Sequence, residues 1–313
     1  MKLDHTARGV YVIAATPFAP DGSLDLDSVD RLTDFYLDCG ATGLTILGIL
    51  GEAQKLEPEE SLAVVRRVVA RARGLPVVVG ASAPGFAAMR RIARDSMDLG
   101  AAGAMIAPPN TLRTDDQIAA FYAQAVGAVG EDVPVCVQDH PLATNVQMSV
   151  GVIRRILSEH ASCVMLKHED WPGLEKISAL RAAQASGDLK PVSILCGNGG
   201  VFLDFEMDRG ADGAMTGYAF PDMLVDLVNL SRDGQRDAAH DLFDAHLPLL
   251  RYEQQPGVGL AVRKYILWRR GAIAHDAQRM PRSSMTAAAR AEVDYLLARL
   301  ALRDARARLP ARV

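Results

Sequence analysis

The sequence predicts an α/β protein, a (β/α)8 TIM barrel with a helical C-terminal appendage. Eight short apolar runs recur at regular intervals, amphipathic segments separate them, and polar residues gather just beyond their C-terminal ends. Near residue 222 the alternation stops, and helix-like segments follow one another with no strands between them.

The first run, residues 10–15, ends at Thr16-Pro17. Residues 44–47 form the second and end at Gly48, and residues 76–79 form the third and end at Gly80-Ala81-Ser82. The fourth, 103–107, precedes Pro108-Pro109-Asn110, and the fifth, 133–137, precedes Gln138-Asp139-His140. The sixth, 163–166, ends at Lys167; the seventh, 192–195, at Cys196-Gly197-Asn198; the eighth, 213–215, at Thr216-Gly217. Between them, residues 59–73 put Leu62, Val65, Val68 and Val69 near one helical face, with Arg66, Arg67 and Arg71 largely away from it. Pro58 stands where a first helical turn tolerates proline. Residues 223–230, 238–251, 258–270 and 287–302 read as helices, so the expected division is a catalytic barrel over 1–222 and a helical region over 223–313. An open doubly wound sheet is the rival, but it calls for a glycine-rich dinucleotide loop after an early strand, and Thr16-Pro17-Phe18 is not one.

The 313 residues are 49% hydrophobic and 23% charged, which suits one barrel and an appendage. A net charge of −4 gives no electrostatic case for nucleic acid or membrane binding. The basic stretch 303–308 has no interleaved aromatic residues and reads as a solvated helix end. Cys39, Cys136, Cys163 and Cys196 are scattered without metal-type spacing, which suggests reduced thiols in a cytoplasmic protein with no metal. No apolar stretch resembles a signal peptide or a membrane span.

Lys167 carries the most information. It ends an apolar strand, where an amine is costly to bury unless paired or neutral. A desolvated neutral amine can attack a ketone to form an imine. Strand alternation puts Met165, Lys167 and Glu169 on one face and turns His168 toward the helical layer. Thr16, Glu52, Gln138, Asn198 and Thr216 also fall at strand ends and would ring the same barrel mouth. A structural ion pair between Lys167 and Glu169 is the alternative.

These residues resemble the dihydrodipicolinate synthase and N-acetylneuraminate lyase family, the pyruvate-type class I aldolases. The resemblance runs through Ala14-Ala15-Thr16-Pro17-Phe18, Gly48-Ile49-Leu50-Gly51-Glu52, Leu166-Lys167-His168-Glu169 and Gly210-Ala211-Asp212-Gly213-Ala214-Met215-Thr216. It implies a Schiff-base lysine at Lys167, a small 2-keto acid substrate, no cofactor beyond the covalent imine, and a homo-oligomer, dimer or tetramer. Departures stand beside the matches. Gln138 replaces the family's strand-five tyrosine, Ile49 and Leu50 replace two relay hydroxyls, and a further relay tyrosine after strand four is replaced near Asn110. In true synthases an arginine that follows the strand-five motif binds the second substrate's carboxylate, and the corresponding position here is about Ala143. An amide cannot relay protons as a phenol does, so the relay is lost as a unit.

Within the family, Val137-Gln138-Asp139, Lys167-x-Glu169, Gly213 to Gly217 with Phe220-Pro221, and Leu247-Pro248-Leu249-Leu250 are similar to bacterial L-2-keto-3-deoxyarabonate dehydratases. The expectation is a Schiff-base lyase that dehydrates or cleaves a 2-keto-3-deoxy sugar acid or pyruvate aldol, with Lys167, Glu169 and Gln138 catalytic and Leu50, Gly51, Glu52, Asn198, Met215 and Thr216 binding substrate. Synthase-type condensation and a catalytically decayed barrel serving as a binding or regulatory protein are the alternatives. Glu52 also reads as a loop-fixing partner, and His140 as structural or a pocket wall.

Overall fold

The computed structural model describes residues 2–171 and 173–309. The strands are β1 (Gly9–Ile13), β2 (Gly43–Ile46), β3 (Val77–Gly80), β4 (Gly103–Ile106), β5 (Val135–Asp139), β6 (Cys163–His168), β7 (Ser193–Cys196) and β8 (Gly213–Ala214). All are parallel, each pairs with the next, and β8 returns to β1 through Gly9↔Gly213 and Val10↔Ala214. The closed barrel expected from the eight apolar runs is therefore present. Strand five reaches two residues further than its apolar run and strand six likewise, because Gln138, Asp139, Lys167 and His168 continue the ladder although they are polar.

The barrel helices are α1 (Leu26–Asp38), α2 (Pro58–Arg71), α3 (Phe86–Asp98), α4 (Asp115–Val129), the short α5 (Pro141–Thr144), α6 (Val150–Glu159), α7 (Leu174–Ala185), α8 (Leu203–Asp208) and α9 (Pro221–Arg232). Their starts follow local chemistry. The Asp25 carboxylate accepts from the Ser28 amide at 2.9 Å, and the Ser149 hydroxyl from the Val152 amide at 3.0 Å. Pro58 opens α2, where its missing N–H has no partner to lose. The buried stripe of α2 is Ser61, Val64, Val65 and Val68, with Leu62 and Val69 on its flanks.

Helix α9 packs against β1, β8 and α8 and so takes the place of the barrel's eighth helix; the 222/223 position falls inside it. Helices α10 (Arg236–Glu253), α11 (Gly259–Arg269) and α12 (Ala287–Leu300) follow, with α10 packed on α9, α11 and α12. Among the described residues no helix is long and apolar enough to cross a membrane. The four cysteines are free thiols.

Tyr11, Val78, Met105, Cys136, Met165, Leu195 and Met215 fill the barrel interior. A packed interior leaves only the upper rim for polar chemistry. The appendage is fastened to that rim by a buried cation. Lys264 of α11 donates to Glu52 at 2.5 Å, to the Thr16 carbonyl at 2.7 Å and to the Ala277 carbonyl at 2.9 Å. Arg279 adds a bond to Glu60 of α2 at 2.7 Å.

Outside the barrel wall, Glu206 of α8 is buried, with Oε2 unpartnered. Burial pushes its carboxyl up to about 8, with Asp204 adding to the shift and a bond with Cys196 opposing it. The folded chain thus holds a proton that the unfolded chain, with a carboxyl near 4.5, has released. Stability should fall as pH rises across that window. Glu206→Gln should flatten this dependence and raise stability at pH 8 by on the order of a few kcal/mol, read from denaturant unfolding at pH 5 and pH 8.

Candidate active site

The strand ends converge on a cavity of about 100 Å³ whose wall includes Gln138, Lys167, Glu169, Asn198, Thr216 and Leu50. Register explains the assembly. Gln138 of β5 is level with Lys167 of β6, so both side chains turn inward. Asp139 and His168, the next level pair, turn outward. Those two are buried in the helical layer, where Lys176 of α7 binds Asp139 at 2.7 Å. Burial pushes the Asp139 carboxyl up to about 6 and the His168 imidazole down to about 4.

Glu169 is the hub of the inward set. Its Oε1 lies 2.8 Å from Lys167 Nζ and accepts from Gln138 Nε2 at 2.7 Å. Its Oε2 accepts from the Asn198 backbone amide at 2.9 Å. His140 Nδ1 is 3.5 Å from Oε1. Burial works against the carboxylate's charge, but the attraction of Lys167 and His140 and the bond from Asn198 outweigh it and hold the carboxyl below its usual range. Burial pushes the His140 imidazole down, with Glu169 opposing. Gly197 makes room for this arrangement, since a Cβ there would stand 2.4 Å from Glu169 Cγ.

Of the residues expected in the site, the cavity wall brings together Lys167, Glu169, Gln138, Leu50, Asn198 and Thr216. Asn198 contributes its main chain to Glu169, at a φ of 46°. Gly51, Glu52 and Met215 lie behind that wall. The Gly51 amide donates to the Gly48 carbonyl at 3.0 Å, and its carbonyl accepts from the Thr16 hydroxyl at 2.6 Å. Glu52 is buried against Lys264 and Lys55, which fixes the loop after β2. Met215 is packed in the barrel interior beside Cys136. The wall also includes Ile13 and, from the end of α10, Gln254. Nothing in the sequence around Gln254 marks it, because its position depends on how the appendage folds back. Among the described residues no tyrosine lines the cavity, and no group of three His, Cys, Asp or Glu is placed to hold a metal.

The dihydrodipicolinate synthetase family model matches residues 6–300. The chain belongs to that family. It is 30% identical to the L-2-keto-3-deoxyarabonate dehydratase of Azospirillum brasilense over 298 residues, 94% of each chain. It is 31% identical over 235 residues to the 4-hydroxy-tetrahydrodipicolinate synthase of Xanthomonas campestris, covering 74% of this chain and 75% of that one. The crystal structure of a dihydrodipicolinate synthase from Rhodopseudomonas palustris superposes with a TM-score of 0.95 at 63% identity, over 96% of this chain and 99% of that chain. As a dihydrodipicolinate synthetase family member, the protein is a lyase of the class I aldolase type. Aldolases of this class use a lysine imine in place of an external cofactor.

Gln138 donates to the same oxygen that faces Lys167. Removing a donor from a carboxylate raises its pKa. With Glu169 as the base proposed below, Gln138→Leu should therefore move the acidic limb of the kcat/KM profile to higher pH by roughly one unit, in a full pH–rate series against wild type.

Proposed function

We propose that this enzyme dehydrates a 2-keto-3-deoxy sugar acid through an imine on Lys167. The observation that carries the reading is the 2.8 Å contact between Lys167 Nζ and Glu169 Oε1 at the wall of one cavity. An amine must give up a proton before it can attack a carbonyl, and Glu169 is within reach to take it. Lys167 Nζ then bonds to C2 of the keto acid, and the carbinolamine takes that proton back from Glu169 as its hydroxyl leaves as water, giving an iminium and restoring the carboxylate. The iminium acidifies C3. Glu169 takes a C3 proton, leaving an enamine, and returns a proton to the C4 hydroxyl as the C4–O bond breaks. The balance is one water lost across C3 and C4, with the lysine recovered by hydrolysis.

Gln138 supports dehydration over condensation. It holds Glu169 but has no acidic proton to relay, and among the described residues no arginine lines the cavity around Lys167 to receive a second substrate's carboxylate. The similarity to the Azospirillum dehydratase extends over 94% of both chains and points the same way.

Incubation with pyruvate and borohydride should add covalent mass at Lys167, and Lys167→Ala should lose both trapping and turnover. Glu169→Gln should still permit trapping while turnover falls by about 10²–10⁴-fold, the usual range for a lost proton-transfer group. Unchanged turnover in that variant would remove Glu169 from the mechanism. Assaying a panel of 2-keto-3-deoxy sugar acids for both dehydrated product and pyruvate separates dehydration from aldol cleavage.

A further inference from the structure

The cavity around Lys167 opens beside a far larger one. The outer space measures about 860 Å³ and shares Ile49, Leu50 and Gln254 with the inner 100 Å³. Ligand sites usually measure about 300–1,000 Å³. The inner cavity is well below that range, and the outer one is within it. Gln254 forms the boundary between them. Its amide lies on Gly199, where a Cβ would stand 2.0 Å from Nε2. With φ at 68°, Gly199 also has a backbone that other residues rarely adopt.

The outer cavity carries an excess of positive charge. Lys55, Arg263 and Arg282 line it together with two carboxylates, Glu52 and Glu253. Both carboxylates are occupied. Glu52 binds Lys264 at 2.5 Å and Lys55 at 2.8 Å. Glu253 accepts from Arg263 Nε at 2.5 Å and from the Ala219 amide at 3.2 Å. Arg263 is only 2% exposed, and its Nη1 is buried with no acceptor. A buried unpaired donor is unfavourable until something accepts from it. This nitrogen lies near the end of β8 and beside Leu50, since a Cβ on Gly217 would stand 2.5 Å from Nη1 and 3.1 Å from Leu50 Cδ1. Arg282, exposed at the rim, reaches only the Gln278 carbonyl at 3.4 Å and has no carboxylate partner among the described residues.

We infer that the outer cavity is the distal half of the substrate site and receives an anionic terminal group, with the Arg263 guanidinium as its inner anchor and Arg282 at the rim. The inference rests on the imine reading of Lys167 and extends it to the other end of the substrate. A hydroxyl terminus would satisfy one donor and leave the surplus charge unmatched. A carboxylate or a phosphate ester would satisfy both, and guanidinium groups bind these anions through paired hydrogen bonds. Leu50 is shared by both cavities, so it stands between the covalent end and the charged end.

Three 2-keto-3-deoxy acids of equal chain length test this, ending in carboxylate, phosphate ester or hydroxyl. Wild-type enzyme should favour one of the anionic termini over the hydroxyl by at least about tenfold in kcat/KM, and the preference should shrink with added salt. Which anion is preferred identifies the source of the charge. Arg282→Gln, at an exposed position, should reduce the preference several-fold. Arg263→Lys should reduce it about tenfold through KM; if that variant does not fold by circular dichroism, the Arg282→Gln comparison alone decides between the outcomes. Equal kcat/KM for the three termini, in enzyme that traps pyruvate with borohydride, overturns the anionic subsite and leaves the imine standing. Failure to trap pyruvate overturns both.

Discussion

The barrel mouth is ordered around one buried carboxylate. Glu169 gathers a lysine and an amide from two neighbouring strands and a backbone N–H from just beyond the next, with an imidazole at 3.5 Å. None of those donors could be placed alone at acceptable cost, because an isolated buried polar group is unfavourable by several kcal/mol while a satisfied network is not. The carboxylate suffers the same penalty without them. The network therefore holds as a unit, and it fixes the distance between Lys167 and Glu169, the nucleophile and the proton-handling group of the proposed reaction. Gly197 is part of the same constraint, since any side chain there would displace Glu169.

A second buried pair makes the appendage part of the site. Lys264 of α11 reaches Glu52 in the loop after β2, and Arg263 beside it reaches Glu253 at the end of α10. Burial pulls the Lys264 ammonium down to about 8, against the attraction of Glu52. Breaking such a pair by removing one partner is strongly destabilising, because it leaves the other charge buried alone. The backbone is held tightly at the same level. Leu47, Glu52 and Asn198, at or just beyond the ends of β2 and β7, all have positive φ, which non-glycine residues adopt only when their surroundings require it. Helices outside the barrel thus decide the shape of a cavity whose chemistry lies on strands.

How much of this the sequence discloses depends on whether a feature is local. Strand count and order are legible because each strand of a parallel barrel is buried on both faces and reads as an apolar run. The inward pairing of Lys167 with Glu169 follows from a period of two. Gln138 is legible only as a departure from a family pattern, and its bond to Glu169 needs the β5–β6 register. Leu50 is at the cavity wall while its neighbours Gly51 and Glu52 are not, because a tight 3-10 turn over Ile49–Gly51 redirects successive side chains. Gln254 and Arg263 are not legible at all. Their residue types are ordinary for helices, and only the folding of α10 and α11 over the barrel brings them to the mouth.

The loss of the phenol relay has a physical counterpart in this network. With Gln138 unable to move protons and Ile49 and Leu50 offering no hydroxyls, the proposed reaction has Glu169 act first as base and then as acid. One carboxyl can do both only if its proton affinity changes between the steps. At rest, the neighbouring lysine nitrogen favours the charged carboxylate against burial. When the C3 proton leaves, the iminium becomes a neutral enamine and that attraction vanishes. Burial is then opposed only by His140 and the Asn198 bond, so the carboxyl holds the proton just taken up more firmly than at rest. The enamine next needs a donor for the departing C4 hydroxyl. In the proposed reaction, the covalent bond to Lys167 would therefore both activate the substrate and time the carboxyl's change of role, which a distant relay of hydroxyls could not do through direct contact.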